Sequence, residues 1–522
     1  GSDTAEFYQA QSDAVRNDSF NWNTTLNEAM DKTGGNASFV VSAGDQIQTT
    51  KKKSPGKSEM TSEIEYTGYL SPDVLKSLPV ATTVGNHDAD NANYTYHFNT
   101  PNSSDLGSNG VVGGDYYFTY GNTLFMMLNT QDTNAAEHKQ FMEQAIAANP
   151  NCTWRVVTLH QDIYGSAEHS NEPEITNLRY TLVPYFEAND VDVVLTGHDH
   201  AYSRTHILEG GHKTVEYTDD EFDAELDKDM DAGENPATRY EAPANISADS
   251  KEPADVAYLN YLNAVMDKDA IEDTEKGETV VNPDGILYMT ANSSSGSKYY
   301  DLVPRMQSYI ANRWQEDVPT YSVIDVTDNT FTINTYRTDN DQKIDETFTI
   351  KKGVTEDIKS ASVGKVKNQI YTGKQIQPAL KVTLNGKTLK AGKDYTVTYT
   401  DNKNTGLAKA TINGIGKYTG TQTVTFKIVP KKAVLKTVKA GKSGTATVTI
   451  GKAGGKVSGY AIQVSTDSSF KKVTTYRTAK TTYTLKNLSK GKTYYVRVKA
   501  FTKVSDKNVY GAASKTIKVK AK

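Results

Sequence analysis

Between residues 20 and 200 the apolar positions switch repeatedly between two spacings. Short runs rich in β-branched residues at 39–43, 80–84, 155–159 and 191–196 read as buried strands, while 21–32, 135–149 and 174–188 space their apolar residues as helices do. The second helix is expected to end where Asn149 meets Pro150, because proline disfavours helical backbone in the residue before it. A hairpin is expected at 115–129, turning at Gly121-Asn122. Alternation of this kind is the signature of βαβ units around a mostly parallel sheet.

Residues 207–284 break the pattern. They are acidic and poor in apolar residues, as at Asp219-Asp220-Glu221, and read as an insertion, either a solvated surface excursion or a lid over a site. The core resumes at 285–290, passes a Ser/Gly-rich loop at 292–298 and continues as strands through 321–350. After residue 352 the chain turns to Lys, Thr, Gly and Val, with period-two stretches at 395–399 and 421–428 that read as antiparallel strands. Pro430-Lys431-Lys432 marks a linker, and further strands are expected at 446–450, 460–464 and 494–500. Three domains are therefore expected, 1–351, 352–430 and 431–522, the last two of a size suited to small β-sandwiches.

Charge sharpens this division. From Lys359 to Lys522 there are 34 Lys and Arg against 4 Asp and Glu, a net of +30, whereas residues 1–358 carry 24 basic against 59 acidic groups, a net of −35. Two such opposed stretches imply at least two functional units. The basic half would favour polyanions such as a cell wall or a glycan, the plainer alternative being solvated lysines on exposed strand faces. Aromatic residues are not interleaved with those lysines, so a base-stacking platform for nucleic acid is not specified. No apolar run approaches the ~18 residues of a membrane span. The single cysteine, Cys152, excludes a disulfide framework or a cysteine-built zinc site within one chain and reads as a small buried hydrophobe.

Each of the four core strands runs into a polar cluster: Gly44-Asp45, Gly85-Asn86-His87-Asp88, His160, and Gly197-His198-Asp199-His200. Singly these are weak signals, since Gly-Asp is usually a turn and a lone histidine is more often a satisfied core residue. Together, each directly after a buried strand, they lie where open α/β sheets gather ligand-binding groups. They supply one carboxylate, one amide oxygen and three imidazoles, a set suited to zinc, iron or manganese. His198 and His200, two apart in extended chain, can serve two neighbouring ions, and Asp45 can bridge them through its two oxygens. Two such ions would clamp the attacking and leaving oxygens of a phosphoryl transfer and lower the pKa of a bound water, so no nucleophilic Ser or Cys is needed.

These clusters resemble the successive signatures of calcineurin-type metallophosphoesterases, and within them the purple acid phosphatase branch, over roughly residues 1–350. The resemblance implies an α/β metallophosphoesterase domain, with a β-sandwich core flanked by helices, ahead of the two all-β sandwich modules. It also implies that Asp45 bridges two divalent or trivalent metal ions (Zn, Fe, Mn or Mg), that Asn86, His160 and His198 bind one ion, and that His200 binds the other. His87 is then not a ligand but a catalytic group that hydrogen-bonds substrate phosphate or metal-bound water, with Asp88 orienting it. His169, nine residues after His160, matches the leaving-group histidine of purple acid phosphatases; the alternative is a surface loop. Tyr202 to Arg204 match the family in a structural role, and the loop from Ser293 to Lys298 resembles a segment near the site. His97, His138, His206 and His212 have no spacing that demands metal.

Two features depart from the family. Its opening strand, which ends in an aspartate ligand, has no counterpart, because Asp3 lacks a preceding apolar run and the chain opens at Gly1-Ser2-Asp3; a fragment is expected. Gln48 also stands three residues after Asp45, where a purple acid phosphatase carries the tyrosine that binds ferric iron.

Downstream, Tyr371-Thr372-Gly373-Lys374 and Asp394-Tyr395-Thr396-Val397 resemble the small Ig-like repeats of Gram-positive surface proteins, while Gly459-Tyr460 and Thr493-Tyr494-Tyr495-Val496-Arg497-Val498 resemble a fibronectin type III domain. The expectation is a secreted or cell-surface phosphomonoesterase using metal-bound hydroxide. Its alternatives are a phosphodiesterase or nucleotide pyrophosphatase, or an adhesion protein with an impaired site. With Gln48 in the tyrosine's place, protein reconstituted with iron is expected to be colourless; strong visible tyrosinate absorption would contradict the assignment.

Overall fold

Apolar residues on both faces of some strands and on one face of others build a layered sandwich in the first half of the chain. The computed structural model describes residues 2–51, 55–210, 218–232, 247, 249–267, 270–273 and 279–522. It divides into two units, Gly1–Lys352 and Gly353–Lys522.

In the first unit a long helix, α1 (Ser2–Lys32), precedes β1 (Val40–Ser42). Then come α2 (Ser58–Tyr69), β2 (Val80–Thr82) and a short α3 (Asn93–His97). The hairpin forms as expected from β3 (Tyr116–Tyr120) and β4 (Thr123–Met127), with Gly121 at φ 57° in its turn. Next are α4 (Ala135–Ala148), which stops just before Pro150, and β5 (Trp154–Thr158). They are followed by α5 (Pro173–Ala188), β6 (Val193–Thr196) and β7 (Tyr202–Thr205). A small pair, β8 (Ile207–Leu208) and β9 (Ile271–Asp273), brackets α6 (Asp219–Ala232) and α7 (Pro253–Val265). The unit closes with β10 (Thr279–Val281), β11 (Leu287–Thr290), β12 (Ile310–Trp314), β13 (Thr320–Val326), β14 (Thr330–Arg337) and β15 (Phe348–Lys351).

The inner layer is one seven-stranded sheet, β12-β7-β11-β6-β5-β4-β3, parallel from β4 through β5 and β6 to β11. One face packs against α4 and α5, with Val157 and Val194 meeting Phe141, Leu182 and Phe186. The other packs Trp154, Val193 and Leu287 against Phe331, Ile333, Phe348 and Ile350 of an outer sheet, β10-β15-β14-β13. A strand covered on both sides shows a continuous apolar run, whereas β14, covered on one, alternates buried and partly exposed positions. The single mostly parallel sheet expected from sequence is therefore corrected. Runs 155–159 and 191–196 join the inner sheet, but 39–43 and 80–84 form a separate parallel pair, β1-β2, in the outer layer.

The acidic insertion is not wholly a solvated excursion. Among its described residues, Phe222, Tyr261 and Val265 bury one another. Buried Asp229 accepts two 2.8 Å bonds from Arg305 and one of 2.6 Å from Tyr261. His212 lies outside the described residues.

The second unit is all β. Its first half carries a four-stranded sheet that includes Tyr395–Thr400, Gly406–Gly414 and Thr421–Val429, with buried Ile412, Phe426 and Ile428. Its second half packs Val448, Ile462, Leu485 and Val498 in a core of its own. No helix among the described residues is long and apolar enough to cross a membrane.

The segment from Tyr202 to Arg204 ties the two layers of the first unit together. Arg204 donates to Asp345 through Nε (2.6 Å) and Nη2 (3.1 Å), and Asp345 also accepts from Tyr202 (2.7 Å) and Asn312 (2.6 Å). Burial alone would raise the Asp345 carboxyl, but the Arg204 guanidinium holds it below its usual range. Its contribution to stability is therefore present above the ordinary carboxylate pKa of ~3.9 and is lost as pH falls below it. Asp345→Ala leaves a buried cation unpaired and is expected to destabilise the fold by roughly 3–5 kcal/mol at neutral pH, read by urea unfolding. A change under about 1 kcal/mol would refute that role.

Candidate metal centre

The loops after β1, β2, β5 and β6 meet at one end of the sandwich, and each delivers a polar side chain. Asp45, His160 and His198 offer ligand atoms that all lie within 4.8 Å of one another. Nε2 of His160 is 3.2 Å from Asp45 Oδ2, 3.0 Å from Asn86 Oδ1 and 3.2 Å from His198 Nδ1. This approach needs two glycines. A Cβ at Gly85 would stand 2.1 Å from Asp45 Oδ1, and one at Gly44, itself at φ 96°, would stand 2.4 Å from the His160 ring. Asp45 (φ 51°), His198 (φ 71°) and His200 (φ 47°) occupy left-handed backbone that costs about 1–3 kcal/mol per residue. Strain at three expected ligands in one place is a mark of a functional site.

Backbone carbonyls set the imidazoles. His160 Nδ1 bonds the Ala43 carbonyl at 2.8 Å, which turns Nε2 toward Asp45. His200 Nδ1 bonds the Lys298 carbonyl at 2.9 Å, leaving Nε2 as its lone-pair nitrogen. Second partners of this kind fix the tautomer of metal-binding histidines. Burial, followed by the proximity of His160, pushes His198 down to about 3, so it is neutral and able to donate a lone pair. Burial opposes charge on Asp45 and His160 alike, yet their mutual attraction lowers the Asp45 carboxyl and raises His160. A cation would compete with a proton for these two groups. One carboxylate, one amide oxygen and imidazole nitrogens converging at these distances fit a borderline divalent ion. His200 stands outside the tight group but near enough for the Asp45 charge to act on it.

The expected catalytic residues lie around this cluster. His87 donates its backbone N–H to Asp45 Oδ1 (2.9 Å), and its Nε2 stands 3.9 Å from Asp45 Oδ2. Its ring is oriented through Nδ1 by the carbonyl of Gln48 at 2.7 Å. Asp88 does not orient His87, which corrects the sequence expectation. Its carboxylate points into the protein, where it accepts from Tyr66 (2.8 Å) and the Gly85 N–H (3.0 Å) and holds the loop. Burial and then the charge of Asp45 push Asp88 up to about 7. His169 sits beside the cluster, its ring centroid 5.6 Å from that of His198.

Sequence reasoning missed the groups that hold His169. Glu172 bonds its Nδ1 at 2.5 Å, Asp199 accepts its backbone N–H at 3.1 Å, and Tyr300 packs edge-on at 4.6 Å. Tyr300 also touches the His200 ring, at 5.2 Å. It lies two residues past the Ser/Gly-rich loop, which was the available signal. Ser170 Oγ stands 2.7 Å from Asp162 and 2.6 Å from Asp199. Burial, with the charge of Asp199 adding to it, pushes the Asp162 carboxyl above its usual range.

Among the described residues, the remaining histidines have other partners. His97 bonds Glu63 (2.9 Å), buried His138 bonds Asp115 (2.7 Å), and His206 donates its backbone N–H to Tyr309. Cys152 packs at the edge of the main apolar cluster.

Residues 17–202 match the calcineurin-like phosphoesterase family, and residues 435–516 match the fibronectin type III domain. The first unit thus carries a metallophosphoesterase domain, and the β-sandwich region after it contains a fibronectin type III domain. Two uncharacterized proteins of Mycobacterium tuberculosis, from strains CDC 1551 / Oshkosh and H37Rv, are each 26% identical over 156 residues, covering 25% of this chain and 29% of theirs. The chain therefore spans less than a third of the curated relatives it matches. A purple acid phosphatase from yellow lupin (Lupinus luteus) seeds superposes with a TM-score of 0.40 at 13% identity, over 63% of this chain and 49% of that one. The sixth fibronectin type III domain of human fibronectin type III domain containing protein 3 gives 0.15 at 22% identity, over 17% and 83%.

His198→Ala is expected to lower divalent-cation affinity by at least about tenfold, measured by metal analysis after dialysis, while His97→Ala retains the wild-type content. Equal metal content in both variants would sink the assignment of ligands.

Proposed function

We propose that the first unit is a dinuclear-metal hydrolase of phosphate monoesters. The observation that carries this reading is the meeting of Asp45, Asn86, His160 and His198 at the ends of four strands, with His87 and His169 beside them. Asn86, His160, His198 and Asp45 would hold one cation, and His200 would help to hold a second. When bound, such a pair supplies Lewis acidity to the phosphoryl oxygens and lowers the pKa of a water at the site.

The protein's own groups do the rest. His87, whose Nδ1–H is held by the Gln48 carbonyl, turns its Nε2 toward the cluster, where the doubly protonated ring donates a hydrogen bond to a phosphate oxygen. His169, whose Nδ1 is engaged by Glu172, presents Nε2 to the departing alcohol and gives it a proton. The hydrogen bond to Glu172 raises His169, which favours the protonated form that this role requires.

The setting is read from charge. A second unit with a net of +30 from Lys359 onward fits contact with a polyanionic wall or glycan outside a Gram-positive cell, and residues 352–430 fit an Ig-like surface module.

Wild type loaded with zinc or manganese is expected to hydrolyse 4-nitrophenyl phosphate faster than bis(4-nitrophenyl) phosphate. His87→Ala should reduce kcat by about 10²–10³-fold with unchanged metal content. A faster diester reaction would replace the monoesterase reading with a phosphodiesterase. No turnover by metal-loaded wild type would leave an adhesion protein with a silent site.

A further inference from the structure

The outward faces of the second unit's sheets differ in charge. In an antiparallel sheet, residues paired across strands share a face. Thr493–Val504 sends Val496, Val498 and Ala500 into the core, so its alternate positions face out. Pairing then places Arg477, Arg497, Lys499, Lys503, Lys518 and Lys520 together on that one face. Among the described residues no carboxylate occupies a paired position of it. Two further outward faces are mostly threonine. Thr437, Thr447, Thr449, Thr482 and Thr484 line the facing sheet of the same module, with Lys439 and, in a bulge, Lys436 as cations. Rows such as Thr398-Thr411-Thr423 line the four-stranded sheet of the first half, where Lys409 and Lys427 are the paired cations.

Lysines that served only to keep exposed strands solvated would load these faces alike. Instead, cations two residues apart along Thr493–Val504 stand ~6.8 Å from one another, inside the ~8 Å over which physiological salt screens charge, so they repel. An anionic partner relieves that repulsion. The basic groups are also held in place. Arg497 donates through Nε to Gln463 (2.7 Å) and lies 4.0 Å over the Phe470 ring, while among the described residues its Nη atoms make no hydrogen bond. Arg477 donates to the Tyr510 hydroxyl through Nε (3.4 Å) and Nη2 (3.3 Å), beside Asn508 (3.3 Å). Burial opposes charge on that phenol, yet these donors draw it below its usual range, the mark of a setting that favours negative charge.

We propose, building on the polyanion contact read from net charge, that this face of the fibronectin type III module is a docking surface for a linear, carboxylate-bearing polysaccharide. From Thr493, which pairs with Lys520, to Lys503 it extends ~34 Å, long enough for an extended polymer to meet several cations at once. The guanidinium groups of Arg477 and Arg497 offer the planar fork that carboxylates accept. Ring faces are few, since Phe470 lies under Arg497 and Phe501 is buried. Stacked bases find little platform there, so the face suits a glycan recognised by charge over a nucleic acid. The docking is independent of the chemistry at the metal centre.

The test measures binding of the full 522-residue chain to polygalacturonate, beside neutral dextran and an oligothymidylate of matched charge, at an ionic strength of about 0.15 M. Two triple variants lower the net charge equally. One carries Lys499→Ser, Lys518→Ser and Lys520→Ser on the proposed face, the other Lys409→Ser, Lys427→Ser and Lys439→Ser on the threonine faces, and circular dichroism confirms that both fold. The first triple is expected to weaken polygalacturonate binding at least about tenfold, the second by less than about twofold, and dextran is expected not to bind. Equal weakening by both triples would overturn the surface and leave a contact set by net charge alone. No binding of polygalacturonate by wild type would overturn the surface together with the polyanion reading. Tighter binding of oligothymidylate than of polygalacturonate, lost in the first triple, would overturn the glycan in favour of nucleic acid.

Discussion

Everything at the candidate metal centre depends on how closely the turn after β1 approaches the turn after β2. Asp45 can be reached by the His87 backbone N–H and by His160 Nε2 only because Gly44 and Gly85 have no side chains to keep these elements apart. The inner sheet carries His160 and His198 and the outer layer carries Asp45, Asn86 and His87, so the centre spans the two layers. Sandwich packing, through Phe39 on Phe118 and Phe125 of the inner sheet, is what brings the two halves of the ligand set into register. A change that slides one layer over the other moves the imidazoles relative to the carboxylate, even if no ligand is touched.

A left-handed backbone at Asp45, His198 and His200 persists only where its surroundings over-determine it. Two buried networks do so. Asp88 takes hydrogen bonds from Tyr66 and Gly85 and pins the loop behind Asp45. Asp199, between two expected ligands, is clamped by Ser170 and by the N–H of His169, so the turn that strains His198 also fixes His169. The carboxylates in the motifs therefore divide by role. Asp45 faces the cluster, while Asp88 and Asp199 hold the chain in the conformation that lets it do so.

The four clusters were legible in the sequence because each follows a short apolar run, and a strand end is one of the few places where a polar run is forced toward a common edge. The helices 135–149 and 174–188 and the hairpin turn at Gly121-Asn122 were legible from local period and turn chemistry alone. The division of four similar strands between two layers was not, since Val40–Ser42 and Val193–Thr196 look alike as short apolar runs and differ only in what covers them. The role given to Asp88 failed for a related reason. Adjacency in sequence suggests contact with His87, but the short helical turn that starts there sends the two side chains to opposite sides. Glu172 and Tyr300 could not be assigned because their link to His169 depends on loop geometry that no period encodes.

The electrostatics explain why these residues hold together without a cation and still favour one. Asp45 is drawn below its usual range by His160 and His87, so the carboxylate is charged at any physiological pH, while His198 stays neutral because burial and a neighbouring imidazole both oppose its protonation. An anion facing lone pairs in a half-buried cleft leaves the cluster short of positive charge, and against the effect of burial the charge of Asp45 raises the His160 imidazole. A divalent ion satisfies the carboxylate and both imidazoles together, which a proton on one ring cannot do. The preference for metal thus follows from the arrangement of charge and lone pairs alone.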